Sequence, residues 1–263
     1  MSSEQLRIGL RVAPQHCTYK QMRDTWLRAE EEGADTLFTW DHFFPLFGDP
    51  EGPHFECWSL LAAMAEATER IHFGALVSCN SYRNPNLLAD MARTVDHISG
   101  GRLILGLGSG WFERDYAEYG YEFGTAITRL AAFRNALPVI DERLGLLNPP
   151  PVRARIPVLI GGGGEKVMLR LVAQWADTWH GFGAPEVIAH KCRVLDEHCA
   201  AIGRDPAKIE RSVLVTSEDI AGGLLDRYYE AGARHFVAIA KEPDFDLADV
   251  RRLLAWRDSL MLG

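Results

Sequence analysis

The sequence predicts an α/β fold, and within that class a (β/α)8 TIM barrel, on three observations. Strand-like and helix-like segments alternate from end to end, eight of each. The length of 263 residues suits one such barrel, which typically takes about 250. Glycine-rich or polar stretches follow several of the strands, at the ends where α/β folds bind ligands. An open doubly wound sheet is the alternative, and the repeat count disfavours it. No low-complexity linker interrupts the chain, so residues 1–263 are read as one domain. The only candidate break, residues 146–155 with Pro149-Pro150-Pro151, is too short to join independent domains and reads as a rigid connection.

The elements follow in order. Residues 6–12 form the first strand and 19–32 a helix closed by Gly33. Residues 35–40 form the second strand, followed by a loop, 41–55, that carries three prolines. A helix over 56–68 places Trp58, Leu61 and Ala65 on one face. Residues 71–78 form the third strand. The next helix starts at Pro85, sets Leu87, Leu88, Met91, Val95 and Ile98 at helical spacing, and stops at Gly100-Gly101. Leu103-Ile104-Leu105 is a short strand that is apolar on both faces. A helix over 125–144 precedes the fifth strand, 157–160. Gly161-Gly162-Gly163-Gly164 then leads into a helix that ends near Trp175. The remaining strands are 178–180, 209–216 and 235–240, and the remaining helices 185–202, 219–231 and 246–260.

Composition excludes several function classes. A formal charge of −8 argues against a nucleic-acid partner. The five cysteines are odd in number and scattered, and Cys192 and Cys199 lack the spacing of a metal knuckle. They read as plain thiols in a reducing cytoplasm. No basic stretch leads into an apolar core at the N-terminus, and no apolar run reaches membrane-spanning length. The expectation is a soluble cytoplasmic protein with a small-molecule substrate and no resident metal.

Three places carry candidate chemistry. Asp41-His42 terminates an apolar strand, which puts both side chains at the catalytic rim of a barrel, and imidazole is the group best matched to proton transfer near neutral pH. The alternative is that Asp41 starts a loop and His42 covers the barrel edge. Next, residues 73–80 pass from apolar to polar, which an ordinary buried strand also does. Finally, Gly108-Ser109-Gly110 and residues 161–164 follow neighbouring strands, and glycines there turn successive amides toward an anion. The second loop lacks both the Gly-Lys-Ser/Thr of a Walker loop and the spacing of a dinucleotide fingerprint. Two adjacent amide loops read as a clamp for one phosphate, with Lys166 adding charge or simply lying solvated. Glu113, Arg114 and Asp115 face a ligand or begin a solvated helix. His190, Lys191, Arg193 and His198 read as a solvated face. No metal-ligand cluster or Schiff-base lysine stands at a strand end, which argues against a non-redox phosphosugar enzyme.

Arg83-Asn84-Pro85, Asp96, Ser99-Gly100-Gly101-Arg102 and residues 106–111, GLGSGW, resemble the luciferase-like monooxygenase superfamily, in particular its deazaflavin-dependent branch. The resemblance implies an oxidoreductase that uses coenzyme F420, with FMN as the alternative. An FMN-dependent monooxygenase or a non-catalytic flavin binder is the rival reading. It implies that His42 is catalytic and that Asp41 hydrogen-bonds the cofactor ring. It implies a bulge with a cis peptide at Leu76–Val77, with Cys79 facing the ring region. It assigns the phosphate to Ser109, Gly110, Gly162 and Gly163, and more weakly to Lys166 and Val167. Trp111 stands where sugar-phosphate-oxidising relatives carry a carboxylate, which speaks against that activity. Relatives commonly form dimers, so a homodimer is expected. The chain departs from the family in its shortened stretches 145–155 and 217–223, which implies an open, shallow substrate site.

Overall fold

The computed structural model describes residues 6–240 and 244–261. The parallel strands are β1 (Arg7–Val12), β2 (Thr36–Thr39), β3 (His72–Ala75), β4 (Ser78–Cys79), β5 (Leu103–Gly108), β6 (Val158–Gly161), β7 (Thr178–Gly181), β8 (Glu210–Leu214) and β9 (His235–Ala240). Neighbours in sequence pair, except that β3 and β4 both pair with β5, and β9 pairs back to β1. The ring closes through β3 and β5, so the protein is a TIM barrel. β3 and β4 are two halves of one barrel strand. Gly74 pairs with Ile104, yet Ser78 pairs with Leu107. Four steps on one side therefore match three on the other, so one residue bulges out between the halves. The continuous strand expected over 71–78 is thus broken at Leu76-Val77, and the Leu76–Val77 peptide is cis.

The seam beside the bulge has no room for side chains. A Cβ on Gly106 would overlap the Ala75 carbonyl oxygen, and one on Gly108 would lie 2.5 Å from a Val77 methyl. These two glycines of β5 are therefore required by close approach.

The helices α1 (Tyr19–Glu31), α2 (Cys57–Ala67), α3 (Pro85–Ile98), α4 (Glu113–Tyr119), α5 (Ala126–Leu146), α6 (Met168–Trp175), α7 (Pro185–Ala201), α8 (Ser217–Ala221), α9 (Leu225–Glu230) and α10 (Ala248–Met261) cover the barrel. Two differ from expectation. The helix expected over 219–231 is split at Gly222-Gly223 into α8 and α9, and α4 is an additional short helix just after the first glycine loop. The second glycine loop is followed by a turn over 165–167 before α6 begins. Arg102, at the start of β5, is buried and donates to the carbonyls of Ser99, Ile71, Ala65 and Thr68 at 2.7–3.0 Å, tying that strand to the end of α2.

Inside the barrel the lower layer is polar. Arg7 forks onto Glu210 at 2.7 and 2.5 Å, Thr36 Oγ1 meets His235 Nε2 at 2.7 Å, and His180 Nδ1 meets Ser212 Oγ at 2.9 Å. Burial lowers the pKa of both histidines, His180 to about 3, so they are neutral. Phe38, Ile104, Leu159 and Val237, with Leu76, Val77 and Leu214, form a separate apolar cluster. The bulge thus rests on packed side chains contributed by five barrel strands.

Candidate active site

His42 follows β2 at the rim and is nearly buried. Its Nδ1 lies 2.7 Å from Oδ2 of Asp115, a fully buried carboxylate on α4. Asp115 also accepts the Tyr82 hydroxyl at 2.7 Å and the Phe43 amide at 3.1 Å. Tyr82 remains a proton donor, because burial, then its neighbour Cys79 and its bond to Asp115, push its pKa well above the ordinary value. Three donors converge on this one carboxylate. A carboxylate only accepts, so Nδ1 carries the proton, and Nε2 is left to meet a ligand.

Asp41 is also buried, and both of its oxygens are engaged within the protein. Arg83 forks onto it at 2.6 and 2.9 Å, and the Cys79 amide donates to it at 2.9 Å. Burial alone would depress the Arg83 pKa, but the Asp41 carboxylate outweighs it and holds the pKa above its usual value. Arg83 also reaches Glu56 at 2.9 Å, and Glu56 caps α2 through the amides of Trp58 and Ser59. In this structure Asp41 therefore ties β4 and the segment after the bulge to the end of β2. The ring-facing role expected for it is not the one its present hydrogen bonds serve.

The other expected residues gather at this same end of the barrel. Leu76 and Val77 form the half-buried bulge. Cys79 is buried, its thiol 3.3 Å from the Tyr116 hydroxyl, and burial raises its pKa, so it is an inert thiol. Ser109 and Gly110 follow β5. Gly110 adopts φ +81°, and a Cβ there would overlap the Tyr116 hydroxyl and lie 2.6 Å from the Cys79 sulfur, so only glycine fits. Arg129 fixes this loop from α5 by donating to the Gly110 and Phe123 carbonyls.

The second loop lies next to the first because β5 and β6 are paired, Leu107 opposite Ile160. Val77 bridges them, with its methyls toward both Gly108 and Gly161. Gly162 donates to His180 O at 3.2 Å, whereas Gly163 and Gly164 are exposed. Lys166 and Val167 are exposed on the turn before α6. The cation held at this loop is Lys191. Its Nζ lies 2.5 Å from Glu165 Oε1, and its Cε lies 3.9 Å from where a Gly163 Cβ would sit. His190 and His198 also bond Glu165, at 3.1 Å and 2.8 Å. This face of α7 is therefore partly a brace for the loop rather than purely solvated.

Aromatic rings enclose His42. Trp40, Trp111 and Phe112 meet it edge-on at centroid distances of 6.2, 5.7 and 5.4 Å, and Phe47 continues the row from Trp40 at 6.1 Å. Trp40 Nε1 donates to His54 Nε2 at 3.0 Å, and burial lowers the His54 pKa to about 4, keeping that acceptor neutral. On the other side Phe43, Tyr82, Tyr116, Tyr119 and Tyr121 pack together behind Asp115.

Sequence reasoning put Asp115 among residues of open role and passed over Tyr82. One signal was available. Phe112, Asp115, Tyr116 and Tyr119 recur at helical spacing, so Asp115 sits on the apolar side of a short helix, where a carboxylate needs donors. Among the described residues no group of three or more His, Cys, Asp or Glu is placed to hold a metal ion, and no helix is long and apolar enough to cross a membrane.

Comparisons with known proteins agree with this architecture. An F420-dependent glucose-6-phosphate dehydrogenase of Amycolatopsis mediterranei is 33% identical over 140 residues, 52% of this chain and 41% of that protein, so the match spans less than half of that relative. A putative coenzyme F420-dependent oxidoreductase of Mycobacterium tuberculosis is 28% identical over 261 residues, covering 87% of this chain and 71% of that protein. Among solved structures, an F420-dependent secondary alcohol dehydrogenase in complex with an F420-acetone adduct superposes with a TM-score of 0.78 at 18% identity, covering 92% of this chain and 97% of that one. The family model for luciferase-like monooxygenases matches residues 5–217, and with the bulged barrel strand and paired glycine loops in place, the chain belongs to that family.

Proposed function

We propose that the protein is a coenzyme F420-dependent oxidoreductase acting on a small organic alcohol or carbonyl compound. One observation carries the reading. An imidazole oriented by a buried carboxylate shares the strand-end rim with a bulge and two adjacent amide loops. Val77 touches the positions of both Gly108 and Gly161, so bulge and loops form one continuous cradle rather than three separate features. Such a cradle suits a flat ring with an anionic tail. When bound, the deazaflavin supplies the uptake or release of a hydride.

The chain's own residues do the rest. Ser109, Gly110 and Gly163 hold the phosphate through backbone amides, whereas the Gly162 amide expected to join them is taken by the His180 carbonyl and shapes the loop. Lys191, held by Glu165, lies beside them. Leu76 and Val77 support the ring. Asp41 and Arg83 keep that bulge in place. His42 takes the substrate's hydroxyl proton on Nε2, or returns it, and Asp115 stabilises the imidazolium that results. The named activities of the relatives above support the deazaflavin over FMN. Absorbance and fluorescence titrations of the purified protein test the reading. Coenzyme F420 binding tighter than FMN is expected, and the reverse order overturns it.

A further inference from the structure

We infer that the rim around His42 recognises an uncharged aromatic ring in the substrate. The inference rests on the proposal that His42 faces the reacting atom, and it names the substrate class of that same site.

The rings around His42 are placed for a ligand rather than for the core. Trp111 is 63% exposed and Phe47 is 65% exposed, although both belong to a row of rings that converges on a nearly buried imidazole. Phe112 is half-buried and Trp40 is buried, so the row passes from solvent to the reacting group. The rings stand nearly perpendicular to His42, and Trp111 and Phe47 keep more than half of their surface open to the edge or offset face of another ring. Trp40 has already spent its indole N–H on His54, so it backs the row as apolar packing.

The charges at this end argue against an anionic substrate. Arg114 is held by the Pro50 carbonyl and Glu51 and lies over the Phe44 ring. Arg83 is committed to Asp41 and Glu56. Arg11 lies over the Trp40 ring at 5.2 Å and deep enough to bear on the buried His180. A sugar phosphate would find Arg83 and Arg114 already paired to carboxylates, and indole surface. An aryl ketone or aryl carbinol would find ring edges and one imidazole nitrogen.

The test uses acetophenone with the protein saturated in oxidised F420, a pair that binds without turnover. Binding is read by tryptophan fluorescence and calorimetry, beside methyl cyclohexyl ketone, benzoylformate and glucose 6-phosphate. Acetophenone is expected to bind at least about fivefold tighter than the cyclohexyl analogue, in line with the roughly 2- to 10-fold that one aromatic pair contributes. Trp111→Ala should erase that preference, while Trp111→Phe should keep most of it. Equal binding of the two ketones, or tighter binding of either anion, overturns the inference. So does a self-association of the wild type that Trp111→Ala abolishes, since the exposed ring would then belong to a second copy. Failure of F420 itself to bind, measured first and alone, sinks the proposed function instead.

Discussion

The Nδ1 atom of His42 and the Oδ2 atom of Asp115 lie 2.7 Å apart, joining the loop after β2 to the helix after β5 across 73 residues of chain. The contact fixes the tautomer of the imidazole that Trp40, Trp111 and Phe112 surround. It also ties that imidazole to α4, the helix that follows the first amide loop.

Replacing this carboxylate should separate chemistry from binding. Asp115→Asn is expected to lower kcat by about 10²- to 10⁴-fold, because an amide can present a donor to Nδ1 and favour the wrong tautomer. F420 affinity should stay within about threefold. Tyr82→Phe, which leaves two donors on Asp115, should cost about 3- to 10-fold and alter the pH profile of kcat. Equal losses in F420 binding and in turnover would mean that Asp115 is a structural support only.

The Asp41–Arg83 pair is expected to matter first to stability. Arg83→Met leaves the fully buried Asp41 carboxylate without its fork, and breaking a buried pair in this way costs about 3–5 kcal/mol. Urea unfolding should show the loss. The double variant Asp41→Asn/Arg83→Met should recover part of it. If the double variant is no more stable than the single one, the two residues are not a coupled pair.

Two glycines should respond in opposite ways to one methyl group. Gly108→Ala drives a Cβ against Val77 and should cost about 1–3 kcal/mol. Gly163→Ala meets only the Lys191 stem at 3.9 Å and should stay within about 0.5 kcal/mol. Thermal melts compare them directly, and similar midpoints for both variants would contradict the tight seam beside the bulge.

Acid should weaken the fold through its neutral histidines. His54 titrates at about 4 and His180 at about 3 in the folded chain, each lowered first by burial. Unfolded histidine titrates near about 6.5, so between these values the unfolded chain binds more protons. Their contribution is complete above about pH 6.5 and is lost as pH falls toward about 4 and then about 3. His54→Gln keeps an acceptor for the Trp40 indole and removes one titration, so its stability should drop less between pH 7 and pH 5 than that of the wild type. Parallel curves would remove His54 from the account.

Much of the fold was legible along the chain. The eight barrel strands fall where hydrophobic runs and turn residues placed them, because each strand needs only local apolar burial and a glycine or proline boundary. The break at Gly222-Gly223 inside the helix expected over 219–231 was not read, because the apolar pattern on either side of the glycines masked it. Short α4 was hidden because its spacing runs for barely two turns.

The sequence by itself determined the barrel, the rim position of Asp41-His42 and the two glycine loops, since these depend on neighbours a few residues apart. Only the tertiary structure decided which acid serves which base. Asp41 turns to Arg83, while His42 turns to Asp115, and neither partner lies within forty residues of the group it satisfies. Buried charges must find donors wherever the closed barrel brings them, and that choice is made by strand register and loop packing across the ring, which no local pattern records.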